Sequence, residues 1–465
     1  MAYTDMRQFV AKLDAAGELV QIDAEVDPIE EVGAICREML DQGGPAILFT
    51  NIKGYNHRLL ANMMGTTKRA AMALECGEDE LIETYGELSA RKEVDELPLA
   101  ASGPCKEVHI AEADLDLDDL VPQILSNPDD GGPFINYGLM IVKDPDTGIQ
   151  NMGVYRLQRR GGRRTGFWSM PPGHGAVIRN KYEAMDQPME VAVCIGGDPM
   201  LYLASQVAGL DLDVDELKLT AAMREQSFDL VKAETVDLMV PANCEIVLEG
   251  KVLPHHREPE GPYGEYPGYY GPVLDFPVVE FQHATHRKDP IYAYTYMGIP
   301  PTESHVLFQV GNEAGFLRKL RNGTAPTVVD VHCPPDAHTV IVSLKKSYEE
   351  QAKHVMYELF TSRLVKTVIV VDEDVDPRNY EQVFWALANR FHADEDIVTG
   401  PGACTIGPSA QKYDSKHAIK MGMDATEPLT GYPAISRPRP EMMDKVRARW
   451  GELMTPKTSK MRAKR

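Results

Sequence analysis

Cysteine is scarce in this chain, seven residues in 465, and no two of them stand in a Cys-x-x-Cys spacing. Cys36, Cys76, Cys105, Cys194, Cys244, Cys333 and Cys404 are scattered and odd in number, which argues against a zinc ribbon or a disulfide framework. A chain of this length buries a sizeable core without such staples. Positive charge is also in deficit, with 48 Lys and Arg against 70 Asp and Glu and a net charge of -22. A surface this acidic repels phosphate backbones and anionic bilayers, so nucleic acid and membrane are poor partners. Any anionic ligand then needs a local basic site. No apolar run approaches the roughly 18 residues needed to span a bilayer. The opening stretch MAYTDMRQFVAKLDAAGEL reads as an amphipathic helix rather than a signal peptide. The expectation is a soluble cytoplasmic protein. Four familiar signatures are absent: Gly-x-x-x-x-Gly-Lys-Ser/Thr, a strand-placed Gly-x-Gly-x-x-Gly, His-Glu-x-x-His and Gly-x-Ser-x-Gly. Nucleotide hydrolysis, Rossmann dehydrogenation, zincin proteolysis and serine esterase chemistry lose ground accordingly.

What is present describes a folded globular protein: 43% hydrophobic and 25% charged residues, enough chain for two to four domains at roughly 100 to 200 residues each. Residues 1–110 alternate helical patterns (MRQFVAKLDAAGEL, IEEVGAICREML, EDELIETYGEL) with short apolar runs (AILFTNI, LLANMMG), which predicts an N-terminal α/β domain. Residues 111–322 are strand-dense, with strands predicted at 136–142, 149–157, 189–195 and 245–253 among Gly, Pro and Asp clusters, and suggest a barrel or sandwich. Residues 323–465 return to α/β alternation, then a proline-rich arm, an amphipathic helix at 441–454 and the basic tail PKTSKMRAKR. The fold class expected is α/β, as an α+β multidomain chain.

The densest chemical signal is EPEGPYGE at 258–265, followed by YPGYYG. Glycines and prolines specify tight turns around Glu258, Glu260 and Glu265. Two such carboxyls in one pocket would push one toward its protonated form and make it a proton donor; a solvated acidic turn is the bland alternative. Arg156, Arg159, Arg160, Arg163 and Arg164 crowd nine positions, with Arg156 on a strand pattern where its guanidinium could hold a carboxylate. The other four flank a Gly-Gly loop and suit a solvated or intersubunit patch better than a ligand site. His174 follows the rigid turn MPPG, and Asn151 with an acid from 211–216 could complete an O,N-rich set for Mn²⁺ or Mg²⁺.

Taken in order, Asn151, Arg156, Pro171 to His174, Glu216, EGPYGE at 260–265 and KMGMDAT at 420–426 resemble the UbiD family of reversible decarboxylases over nearly the whole chain. That resemblance implies a central flavin-binding split β-barrel and a C-terminal α/β oligomerisation domain. It also implies prenylated FMN (prFMN) held through a divalent metal, usually Mn²⁺, with K⁺. Asn151, His174 and Glu216 match metal-ligand positions, and Tyr155, Arg156, Gly173 and Lys420 join them among cofactor contacts. Arg156, Glu260 and Glu265 match a catalytic network in which Arg156 and Glu260 orient the substrate carboxylate and Glu265 donates the proton. The family's substrate wall corresponds to Tyr294, Tyr296, Met297, Ile299, Pro300, Pro301 and His305. Met297 and His305 are candidate substrate contacts, although His305 reads equally well as a structural histidine. The loop around 204–213 differs from the family pattern near the cation. The implied partners are an aromatic, heteroaromatic or α,β-unsaturated carboxylic acid, CO₂, a flavin prenyltransferase as cofactor source, and further copies in a homodimer or homohexamer. A non-catalytic flavin- and metal-binding subunit is the alternative, and a glycosidase use of Glu260 and Glu265 a weaker one.

Overall fold

Amphipathic periodicity places the first helix, Met6–Ala15, with Met6, Phe9, Val10 and Leu13 buried along one stripe and Asp5 capping the amide of Gln8 at 3.0 Å. The computed structural model describes residues 3–171, 173–336, 338–402 and 418–454. Met1–Thr426 form one compact unit and Glu427–Arg465 a second.

Three short apolar strands near the N-terminus, Leu19–Ile22, Ala46–Phe49 and Arg58–Ala61, build a sheet whose fourth strand is Ile291–Tyr294, parallel to Arg58–Ala61. Nothing local announces that partnership: IYAY is apolar on both faces and would suit any buried sheet. Its consequence is positional, because the strand leads into Thr295, whose carbonyl accepts from Asn136 Nδ2 at 2.5 Å.

That central sheet has seven strands, ordered Val108–Ala111, Leu274–His286, Ile246–Glu260, Met189–Ile195, Phe134–Lys143 and Gln150–Gln158, with Arg164–Gly166 paired onto Leu274–His286. Every pairing in it is antiparallel. The strand expected to stop at residue 253 instead runs from Ile246 to Glu260, past a register shift between Val252 and Arg257 that contains His255 at φ 54°. A bulge breaks the two-residue alternation that sequence patterning depends on, so the last stretch of the strand reads as loop. It is this extension that carries Glu260 into the sheet.

After the helix Glu303–Asn322, the chain forms a five-stranded mixed sheet ordered Val328–His332, Thr339–Leu344, Thr367–Asp372, Ala418–Ala425 and Ile397–Gly402. Helices Gln351–Phe360 and Tyr380–Arg390 make the crossovers, as the alternating pattern predicts. In the second unit, the helix expected at 441–454 is two, Pro440–Ala448 and Trp450–Met454, interrupted at Arg449 beside Gly451, a weak helix former. The basic tail and Cys404 lie outside the described residues. No helix among the described residues is long and apolar enough to cross a membrane.

Candidate active site

One strand, Gln150–Gln158, carries both halves of the site. At its start, Asn151 meets the first residues of two helices: His174, opening His174–Ala184, and Glu216, opening Glu216–Arg224. The second start is fixed by Asp215, whose carboxylate accepts from the amide of Leu217 at 2.9 Å. The first is fixed by Tyr155, whose hydroxyl accepts from the amide of Gly175 at 3.1 Å. A Cβ on Gly175 would lie 2.6 Å from that hydroxyl, so only glycine fits there. Gly173 sits in the turn just before, its amide donating to the carbonyl of Met170 at 3.0 Å.

Asn151 Nδ2 lies 2.6 Å from Glu216 Oε1 and 3.2 Å from His174 Nδ1, and those last two are 3.9 Å apart. The amide of Met152 donates to Glu216 Oε2 at 2.8 Å. Burial pushes the Glu216 carboxyl up to about 8, with Asp215 and Glu93 adding to it, and among the described residues no lysine or arginine pairs with it. Three donor groups this close fit around one hard cation, since neighbouring ligands at about 2.1 Å in an octahedron stand about 3 Å apart. Turning the Asn151 carboxamide over presents its oxygen at the same place. A divalent cation would also supply the charge that the buried carboxylate lacks. Among the described residues no three His, Cys, Asp or Glu side chains gather as a metal group, and in this set an amide takes the third place.

Five residues along the same strand, about 16 Å at the usual rise, stands Arg156. Its Nε donates to Glu260 Oε1 at 3.0 Å and its Nη1 to Glu265 Oε1 at 2.5 Å. The guanidinium lies over the rings of Tyr263 and Trp168, 4.5 and 4.9 Å from their centroids. Glu260 is fully buried, with Oε2 lacking any hydrogen-bond partner, and burial raises its carboxyl although Arg156 pulls it back. Glu265, by contrast, keeps 26% of its side chain exposed. Two carboxyls share one arginine, one locked in the interior and one at the rim.

Glycines make that closeness possible. A Cβ on Gly166 would lie 2.6 Å from Glu260 Oε2, and one on Gly271 would lie 2.6 Å from Glu265 Oε1. Gly166→Ala should therefore drive Glu260 off Arg156. Because misplacing a catalytic group by about 1 Å can cost about 10²-fold, kcat/KM is expected to fall to that extent with little change in melting temperature. Parent-like kcat/KM would remove Glu260 from the network.

The four remaining arginines form no anion site. Arg159 bonds the carbonyl of Leu117 at 3.0 Å and pairs with Asp118; Arg160 reaches the carbonyl of Pro259; Arg163 meets Glu112 at 2.7 Å; Arg164 pairs with Glu258. Arg160 and Arg164 thereby brace the strand end that bears Glu260.

The wall segment lies against the acidic loop. The carbonyl of Met297 is 3.4 Å from where a Cβ on Gly264 would stand, and the Cα of Ile299 is 3.0 Å from one on Gly268. Arg37 holds the carbonyls of Ile299 and Pro301 at 2.5 and 2.7 Å. Tyr294 is buried, its hydroxyl 2.7 Å from that of Ser126. His305, a candidate substrate contact, caps the helix Glu303–Asn322 in this structure. Its Nδ1 accepts from the amide of Thr302 at 3.1 Å, its Nε2 donates to the carbonyl of Tyr266 at 2.7 Å, and its ring stacks on Tyr266 at 4.0 Å. Both nitrogens are engaged, and burial lowers the ring to about 4, so it stays neutral as a helix cap.

Lys420, a candidate cofactor contact, lies on the strand Ala418–Ala425. Its ammonium is fully buried and donates to the carbonyls of Phe360, at 2.8 Å, and Ser362, where it closes the carboxyl end of Gln351–Phe360. Arg363, next along the chain, donates to the carbonyl of Pro171 at 3.4 Å and links this region to the turn before His174. Trp168, Gln158 and Arg363 are not legible as site residues, since each is an ordinary residue in an ordinary local pattern, while Tyr263 lies within the EGPYGE stretch without being singled out there. Gln158 binds both the amide of Gly261 at 3.0 Å and the carbonyl of Gly131 at 2.7 Å, tying the acidic loop to the strand of Arg156.

Comparison with known proteins gives the family. Residues 56–300 match the 3-octaprenyl-4-hydroxybenzoate carboxy-lyase Rift-related domain, residues 10–89 the corresponding N-terminal domain and residues 305–425 the C-terminal domain. An uncharacterized protein of Archaeoglobus fulgidus is 36% identical over 488 residues, covering 97% of this chain and 99% of that one. The UbiD-class enzyme HmfF from Pelotomaculum thermopropionicum, solved in complex with FMN, superposes with a TM-score of 0.87 at 34% identity over 94% of this chain and 98% of its own. Vanillic acid decarboxylase (ShVdcCD) from Sedimentibacter hydroxybenzoicus in its closed form gives 0.86 at 30% identity over 98% and 100%. With all three segments matched along nearly its whole length, this chain belongs to the UbiD family of prFMN-dependent decarboxylases and is a UbiD-class carboxy-lyase.

Proposed function

We propose that the chain catalyses the reversible, non-oxidative decarboxylation of an aromatic, heteroaromatic or α,β-unsaturated carboxylic acid with prFMN and a divalent cation such as Mn²⁺. The observation that carries this reading is Arg156 bound at once to buried Glu260 and rim-exposed Glu265. Asn151, His174 and Glu216 would hold the cation and, through it, the cofactor phosphate. Losing CO₂ from an unsaturated carbon leaves an electron pair that no side chain can accept, and the bound prenylated flavin supplies that sink.

The chain's own residues do the rest. Arg156 receives the substrate carboxylate, because its Nη2 is engaged by neither glutamate. Glu260 keeps the guanidinium from turning, and the rings of Tyr263 and Trp168 pack on it. Once CO₂ has left, Glu265 gives its proton to the carbon that bore it, and its exposed edge lets solvent restore that proton. In the carboxylation direction the same carboxylate takes the proton.

Chain reconstituted with prFMN and Mn²⁺ is expected to release CO₂ from at least one acid of a panel spanning the three classes and to exchange solvent deuterium into the matching product. A protein that binds flavin yet does neither would sink the catalytic reading and leave a binding subunit.

A further inference from the structure

We infer that Asp130 is a positioning residue for proton delivery, holding the Glu265 loop and the Met297 segment in one register. Asp130 lies in the turn SNPDDGG, 8% exposed, and its carboxylate takes three N–H donors. Oδ1 accepts from the amide of Gly264 at 2.8 Å, and Oδ2 accepts from the amide and the Nδ2 of Asn127 at 3.0 and 3.2 Å.

Gly264 is the residue before Glu265. The loop around it is closed on itself, with the amide of Glu265 on the carbonyl of Tyr269 at 2.9 Å, the amide of Gly268 on the carbonyl of Glu265 at 2.8 Å and the amide of Gly271 on the carbonyl of Tyr263 at 2.9 Å. Those bonds shape the loop and leave its placement to other residues. Asp130 grips it at Gly264; nearer its start, Gly131 and Gln158 hold Pro262 and Gly261. The approach is close enough that a Cβ on Gly264 would lie 2.7 Å from Asn127 Nδ2.

Asn127 extends the grip to the opposite wall. Its second Nδ2 hydrogen goes to the carbonyl of Met297 at 3.0 Å, and its Oδ1 accepts from the hydroxyl of Tyr296 at 2.8 Å. One turn therefore binds the acid-bearing loop with one side chain and the wall with another, and the two side chains bind each other. Burial raises the Asp130 carboxyl, and the N–H donors of Gly264 and Asn127 and the charge of Arg156 pull it back. A carboxylate bonded three times holds its neighbours more firmly than neutral acceptors would, because charge-assisted bonds are roughly twice as strong.

This assignment rests on the proton-donor role of Glu265, so Glu265→Gln is the control. In Asp130→Asn, one side-chain oxygen remains and an NH₂ must face an N–H donor, which loosens the turn without opening a cavity. The expected result with reconstituted enzyme is a fall in kcat of about tenfold to a hundredfold, a matching fall in solvent-deuterium exchange into product, KM for the acid within about threefold, and parent-like flavin content and melting temperature. A lowered kcat that merely tracks lost flavin or lost folded protein would overturn the inference, as would parent values throughout. If Asp130→Asn does not fold, Asn127→Ala is read by the same criteria. Parent turnover in Glu265→Gln would instead overturn the proton-donor role itself, which separates the two failures.

Discussion

Glu265→Gln is expected to lower kcat by about 10²- to 10⁴-fold, the usual worth of a positioned general acid, while flavin and metal content stay at parent levels. Glutamine preserves the side chain's length and offers Arg156 Nη1 an oxygen in place of the one now 2.5 Å away. What it cannot offer is an acidic proton. The cofactor side is insulated from the change, because Asn151, His174 and Glu216 make none of their hydrogen bonds with Glu265. Turnover is read as CO₂ release at saturating acid, with flavin absorbance measured on the same sample. A variant that keeps parent kcat would show that the proton comes from elsewhere.

The second large effect is expected at Glu216. Glu216→Gln should reduce bound divalent metal at least tenfold and flavin content in parallel, yet leave the metal-free protein as stable as the parent or more so. The two directions follow from one fact: this carboxylate is buried without a cationic side chain beside it, and burial moves its pKa from 4.5 to about 8. Between those values the folded state binds more protons than the unfolded state, so the metal-free parent loses stability as pH rises from about 5 to about 8, by up to a few kcal/mol. Asp198 and Glu303, raised by burial to about 6 and about 7, add a decline of the same sign in both proteins. The difference between parent and variant isolates Glu216. Bound metal reverses the sign by favouring the charged form. Metal analysis after desalting and melting curves against pH test both halves, and stoichiometric metal in the variant would remove Glu216 from the ligand set.

Legibility varied from element to element for physical reasons. The strand Met189–Ile195 and the helix Tyr380–Arg390 lie where hydrophobic spacing predicts them, since each is short, regular and patterned on its own period. Glu260 could be singled out by its glycines and prolines, but its place at the end of a 15-residue strand could not, because the bulge after Val252 hides the continuation. For His305 the sequence offers two readings of equal weight, and only the fold puts its two ring nitrogens on Thr302 and Tyr266. Asp130 is not legible in SNPDDGG, because Asn, Pro, Asp and Gly in that order read simply as a turn.

Composition, charge and motif order were enough to establish an acidic α/β protein and to nominate Asn151, Arg156, His174, Glu216, Glu260 and Glu265, since the chemistry of a side chain is local information. Their convergence is another matter. His174 lies 23 positions from Asn151, Glu216 lies 65, and Glu260 and Glu265 lie 104 and 109 from Arg156. They meet because an antiparallel sheet sets the strands bearing Arg156 and Glu260 in one array, and because two helices start at Asn151. Distance, burial and the sharing of one guanidinium by two carboxyls arise from that closure. Those are the quantities on which the proposed roles of Glu265 as proton donor and Glu260 as anchor rest.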